Sequence, residues 1–169
     1  MVVCLWLCLL LTTSIPFTQG VSAMLLSSQE KIFGSAVAYF VFNRAIRKRL
    51  KIWLTPEAER ILDGHTEKNV PARNLDLCDL TQGLPDALIK ERGGNQKVAV
   101  TLAHICALIE ADKLSKGGWF VAYIAVGDVL WTLRFLFRPG SQGWHFLVFP
   151  AEDVNPWHIA DQFFIGELS

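Results

Sequence analysis

The strongest constraint on this chain is a change from helical to β patterning after Gly117 and Gly118. Three segments rich in aromatic and β-branched residues follow, and most of the aromatic residues lie from this point onward. The segments are 119–126, 129–137 and 144–149. In the middle segment, apolar residues alternate with a second set that includes Arg134, which is typical of a strand with one buried and one partly wet face. The connections at Gly127 and Gly140 predict turns, so the three strands should form an antiparallel meander.

The region before the meander shows helical spacing. Apolar residues recur at three- and four-residue steps over 28–53, behind a capping-box signal at Ser27, which predicts a long N-terminal helix. Thr55 and the proline after it predict a short helix over 56–63. Two apolar stripes over 96–114 predict a second long helix that is buried on both sides.

The remaining segments complete a predicted α+β fold. Residues 65–74 are polar and should form a surface loop, and residues 75–92 should form short helical turns. Asn155 and the proline after it predict a short C-terminal helix over 156–164, with a short strand at 163–165 as the alternative. The predicted fold class is therefore α+β: long N-terminal helices packed on a three-stranded antiparallel meander, with a short C-terminal helix.

The N-terminal segment is apolar and carries no charged side chain before Glu30. Its core, residues 2–11, has the length of a signal-peptide core and is shorter than the roughly 20 residues of a membrane-spanning helix. The small residues that end at Ala23 predict cleavage after that position. We therefore divide the chain into residues 1–23, a signal peptide or an apolar membrane anchor, and residues 24–169, a single α+β domain.

The location of the protein depends on how this N-terminus is processed. A cleaved signal peptide predicts a secreted or periplasmic domain. A retained anchor predicts a membrane-associated protein, and it would place the basic run at 44–51 on the cytoplasmic side. If Met24 is the true start, the protein is cytoplasmic. These alternatives also decide the state of Cys78 and Cys106, which are candidates for a disulfide after export and are reduced, buried residues in the cytosol.

Two histidines and a carboxylate are the candidate catalytic residues, because such a set could hold a metal ion. They are His145, His158 and Asp161. On the predicted C-terminal helix, His158 and Asp161 are three residues apart and share one face. Their spacing matches no specific zinc or iron motif, and the chain contains no nucleophile or phosphate-binding motif. We therefore predict no cofactor, assign no metal site and favour a protein that is not an enzyme.

Three basic residues lie near one face of the predicted N-terminal helix, namely Arg44, Lys48 and Lys51. They are candidates for contact with an anion or with membrane headgroups, and the alternative is a solvated helix end that complements the helix dipole. The 16 basic and 16 acidic residues give a formal net charge of zero, so no overall field attracts nucleic acid. No basic residue follows Arg138, so we do not expect a nucleic-acid partner.

These observations favour a non-catalytic binding or interaction protein that is exported or membrane-associated. Its expected partner is a protein, engaged through a sheet face or an aromatic edge, and membrane headgroups are the second candidate partner. The alternatives are a small metal-dependent hydrolase and an intracellular assembly component that starts at Met24.

Overall fold

The computed structural model describes residues 26–80, 99–151 and 161–166. The predicted signal peptide or anchor at residues 1–23 lies outside the described residues. The division of the chain and the alternative locations therefore stay predictions.

Strands make up most of the described chain. The strands are β1 (Leu26–Gly34), β2 (Val37–Val41), β3 (Ile52–Leu54), β4 (Thr66–Val70), β5 (Arg73–Leu80), β6 (Trp119–Val126), β7 (Val129–Arg138), β8 (Gly143–Pro150) and β9 (Asp161–Gly166). The helices are α1 (Arg44–Leu50), α2 (Pro56–Leu62) and α3 (Leu102–Glu110). Across these described ranges, no helix combines the length and the apolar character that a membrane crossing requires.

Seven of the strands form one mixed sheet in the order β1-β5-β9-β6-β7-β8-β3. The β9–β6 and β3–β8 pairs are parallel, and the other neighbours are antiparallel. The last described strand, β9, lies between β5 and β6. Strands β2 and β4 form a separate antiparallel pair.

The predicted fold class, with long N-terminal helices on a three-stranded meander, is wrong. The three strands of the meander are present, but they belong to a seven-stranded mixed sheet, and the described helices are short. The region 28–53, predicted as one long helix, forms β1, β2, α1 and β3. In β1, Ile32 and Gly34 are buried while Lys31 and Phe33 are exposed, so burial follows the two-residue period of a strand. Aromatic and β-branched residues favour that conformation.

The two other predicted helices before the meander have different outcomes. The short helix over 56–63 is confirmed, because α2 follows the N-cap Thr55, whose hydroxyl accepts a hydrogen bond from the backbone N–H of Ala58 at 3.3 Å. The helix predicted over 96–114 is shorter in the structure, where α3 begins after the N-cap Thr101.

Three further local predictions are wrong, because these segments form strands that pair with distant parts of the chain. The polar loop at 65–74 contains β4 and the start of β5, and the helical turns predicted from residue 75 are replaced by β5 as far as residue 80. The C-terminal helix over 156–164 is wrong from residue 161 onward, where the strand alternative forms as β9. Because β9 pairs with β5 and β6, tertiary contacts outweigh the local helix signal.

One face of the large sheet carries the hydrophobic core and packs against the helices. At its centre lies an aromatic cluster from four adjacent strands: Phe120, Phe135, Phe146 and Phe164. The ring centroid of Phe135 lies 5.3 Å from those of Phe120 and Phe146 and 6.2 Å from that of Phe164. Burial of each large apolar side chain contributes about 1.5–3 kcal/mol, so this cluster stabilises the middle of the sheet.

The opposite face is also buried at the centre of the sheet. Val121, Tyr123 and Phe163 are fully buried there. Strand β6 is consequently an almost continuous apolar run, as expected for a strand that is covered on both sides. Towards the edges this face is open, because Phe33 on β1 and Trp53 on β3 are 64% and 57% exposed.

Replacing Phe135 with alanine should lower the free energy of unfolding by about 3–5 kcal/mol, because the change leaves a cavity within the aromatic cluster. Phe33→Ala is the matched control, since it removes the same atoms from an exposed side chain and should cost about 0.5 kcal/mol. Urea denaturation measures both changes. Equal losses would contradict the central role assigned to Phe135.

Candidate functional site

Helix α1 carries basic residues of the run at 44–51 and lies beside one edge of the sheet. It starts at Asn43, whose Oδ1 accepts hydrogen bonds from the backbone N–H groups of Ala45 at 2.9 Å and Ile46 at 3.1 Å. It ends at Lys51, whose φ of 54° lies in the left-handed region that commonly terminates helices. The chain then continues directly into the edge strand β3.

Some basic residues of α1 are neutralised by neighbouring helices. Arg47 forms ion pairs with Glu59 at 2.9 Å and with Asp63 at 3.3 Å, which ties α1 to α2. Arg49 pairs with Glu110 of α3 at 3.3 Å. These ion pairs link α1 to α2 and α3.

Arg44, Lys48 and Lys51 form a second group. All three side chains are exposed, and none of them forms an ion pair with another residue in the part of the chain that the structure describes. They line a single groove of about 730 Å³. The structure therefore brings together the three residues predicted to contact an anion, in a groove whose one described acidic residue, Glu59, pairs with Arg47.

We call this depression the Trp53 groove, because an exposed tryptophan lies within it. Its other lining residues are Arg47 of α1, Ile52–Leu54 of β3, Glu59 of α2, and Ser141 and Gln142 from the turn between β7 and β8. Basic residues outnumber the one acidic residue, so the groove is electropositive.

Trp53 is exposed but held in a defined position. Its ring stacks on His145, with the centroids 6.4 Å apart and the planes inclined by 21°. A Cβ atom on Gly143 would lie 2.7 Å from the indole Nε1 and 2.5 Å from the backbone oxygen of Lys51. Only glycine therefore allows the tryptophan and the chain to approach this closely.

The backbone of β3 is paired along one edge. Lys51 accepts a hydrogen bond from the N–H of Trp144 at 2.8 Å, and Thr55 donates one to Phe146 at 3.2 Å, which joins β3 to β8. Because alternate residues of a strand direct their backbone groups to opposite sides, those of Ile52 and Leu54 point to the other edge. Within the described ranges, no strand pairs with that edge.

His145 also contacts a serine at the rim of the groove. Its Nε2 lies 2.7 Å from the hydroxyl of Ser141. Burial lowers the pKa of His145, and the nearby charge of Arg138 lowers it further, so the ring is neutral at pH 7. A serine–histidine pair needs a third group to orient the histidine for catalysis, and the described side chains place no acid on His145.

The predicted metal-binding set is not assembled around His145. In the strand register, His145 lies opposite Leu136, Leu136 opposite Trp119, and Trp119 opposite Asp161. His145 and Asp161 are therefore three strands apart. Strand spacings of about 4.8 Å separate their backbones by roughly 14 Å, and the carboxylate of Asp161 pairs with Arg134 at 3.0 Å. His158 lies outside the described residues. Within the described ranges, no three histidine, cysteine or carboxylate side chains cluster closely enough to hold a metal.

The two candidate disulfide cysteines are free thiols in the structure. Cys78 lies on β5 and Cys106 on α3, and both are buried. Burial raises the pKa of Cys78 to about 11, and Asp76 and Asp79 raise it further. Burial also raises the pKa of Cys106. Both thiols are therefore protonated and poorly reactive at neutral pH.

The N-terminus of α3 holds a partly buried polar cluster that the sequence did not indicate. The carboxylate of Glu67 accepts hydrogen bonds from the backbone N–H groups of Leu102 and Ala103, each at 2.8 Å. The hydroxyl of Thr101 lies 2.8 Å from Nδ1 of His104, which is fully buried. A carboxylate at this end of a helix is favourable, so the cluster stabilises the fold.

Comparison with known proteins returned no match among family models, curated proteins or solved structures.

The buried imidazole of His104 should make stability depend on pH. Burial lowers the pKa of His104 below its usual 6.5, so the unfolded chain binds a proton more readily than the folded one. The stabilisation from the neutral ring is present above pH 6.5 and is lost as the pH falls towards the lower folded-state pKa.

The variant His104→Asn keeps a polar atom near Thr101 but removes the titration. Its free energy of unfolding should therefore decline less than that of the wild type between about pH 7 and pH 5. Urea denaturation at a series of pH values measures the two curves. Parallel curves would rule out a contribution from His104.

Proposed function

We infer that this protein is a non-catalytic binding protein whose binding surface is the Trp53 groove and whose partner is an acidic protein. The observation that carries this proposal is the convergence of three basic side chains without described ion pairs on a groove that contains a supported, exposed tryptophan.

The two parts of the groove contribute differently to binding. An exposed ion pair contributes about 0.2–1 kcal/mol, so Arg44, Lys48 and Lys51 mainly select an acidic partner and speed its approach. Tryptophan is enriched among the residues that dominate binding energy, because it buries a large surface with few rotatable bonds. Trp53 is therefore the expected anchor.

The shape of the groove favours a protein over membrane headgroups. A flat lipid surface meets protruding side chains, whereas the residues here line a concavity that includes Ile52–Leu54 of β3. The formal net charge of zero also provides no general attraction to an anionic surface. A narrow chain segment with carboxylate groups matches both the shape and the charge.

Charge reversal tests the assignment of the groove. The purified protein should bind a fluorescein-labelled oligoglutamate peptide, as measured by fluorescence anisotropy, and the affinity should fall as salt is added. Lys48→Glu should weaken binding about fivefold, because repulsion replaces an attraction of about 0.5 kcal/mol. Lys113→Glu is the matched control, since Lys113 is also exposed and lies outside the groove lining.

Two results would count against the proposal. Equal weakening by Lys48→Glu and Lys113→Glu would show that net charge alone drives binding. Binding to phosphatidylserine vesicles without binding to the peptide would replace the acidic protein with a membrane surface.

A further inference from the structure

One edge of β3 pairs with no described strand, and this free edge adds backbone hydrogen-bonding groups to the charge and aromatic surface of the Trp53 groove. The N–H and C=O groups of Ile52 and Leu54 point away from β8, towards a side where the described chain places no strand. Residues Ile52–Leu54 also line the groove. An extended segment lying in the groove would therefore meet groups that can continue the sheet.

The two sides of β3 differ chemically. Ile52 is buried and belongs to the hydrophobic core, which also includes Leu50 of α1, so α1 lies on the core side of the sheet. Trp53 alternates with Ile52 and faces the opposite side, where it is 57% exposed. A strand added beside β3 would present one set of alternate side chains to the basic residues of α1 and the other set to the tryptophan.

The charge on α1 decides which kind of segment fits. Pairing of β3 with β3 of a second copy would bring two sets of Arg44, Lys48 and Lys51 together, and like charges at an interface oppose association. A segment with carboxylates on one side and apolar groups on the other meets no such repulsion.

We propose that the partner binds through an extended segment in which acidic and apolar residues alternate, and that this segment adds a strand to the free edge of β3. The proposal rests on the function assigned above to the Trp53 groove. The acidic side chains face α1, and the apolar ones pack against Trp53. Because β3 has only three residues, its backbone pairing is short, and the basic residues and the tryptophan supply the remaining affinity.

Two labelled synthetic peptides of identical sequence test this binding mode. In both, glutamate and valine alternate, and one carries N-methyl groups on its central residues, which removes the backbone N–H donors of those residues. The unmodified peptide should bind the full-length protein about tenfold more tightly than the N-methylated peptide. Trp53→Ala should weaken binding of the unmodified peptide. In the wild-type protein, binding of this peptide should slow hydrogen exchange at the backbone N–H groups of Ile52 and Leu54.

The outcomes separate this proposal from the one on which it rests. Equal affinities for the two peptides, with no slowing of exchange at Ile52 and Leu54, would overturn strand addition. The proposed function would still stand if Lys48→Glu weakened the binding of both peptides. Failure of these peptides and of oligoglutamate to bind would overturn both proposals. Tighter binding of the unmodified peptide together with slower exchange at the two residues would support strand addition.

Discussion

The aromatic cluster around Phe135 is the interaction on which the rest of the structure depends. It joins four adjacent strands through their core-facing side chains, with Phe120 and Phe146 on either side of Phe135. Phe42, from the N-terminal half of the chain, stacks on Phe146 with the planes inclined by 5°. The cluster therefore stabilises the middle of the sheet and also attaches to it the segment that leads into α1. Apolar burial at this scale is the main favourable term in folding.

The Trp53 groove is a consequence of that attachment. β3 pairs only with β8 in the described chain, and Gly143 at the start of β8 allows the close approach of Trp53 and Lys51. Arg47 pairs with Glu59 and Asp63, whereas Arg44, Lys48 and Lys51 are exposed. A short edge strand also limits unwanted pairing between copies. Among the described residues, the groove thus combines a strand edge without a partner strand and a set of exposed positive charges.

Sequence reasoning predicted local structure better than architecture. The strands of the meander, the helix after Thr55 and the basic cluster at 44–51 were visible as local patterns, although the fold class assembled from them was wrong. The largest error was the helix over 28–53, where apolar spacing at three and four residues also fits short strands separated by turns. Trp53 was missed as a site residue because it fell at the end of that predicted helix, and nothing nearby marked it as exposed.

The sequence by itself determined features that depend on neighbouring residues: the alternating strands from Trp119 onward, the cap at Thr55, and the positive charge of α1. Only the tertiary structure decided that β9 lies between β5 and β6, that His145 and Asp161 are three strands apart, and that Gly143 supports Trp53. The physical reason is that local periodicity reports which side of an element is buried, whereas strand order depends on pairing between segments far apart in the chain. The Trp53 groove arises from such pairing, so the sequence carried no signal that its basic residues lie beside Trp53 and the turn between β7 and β8.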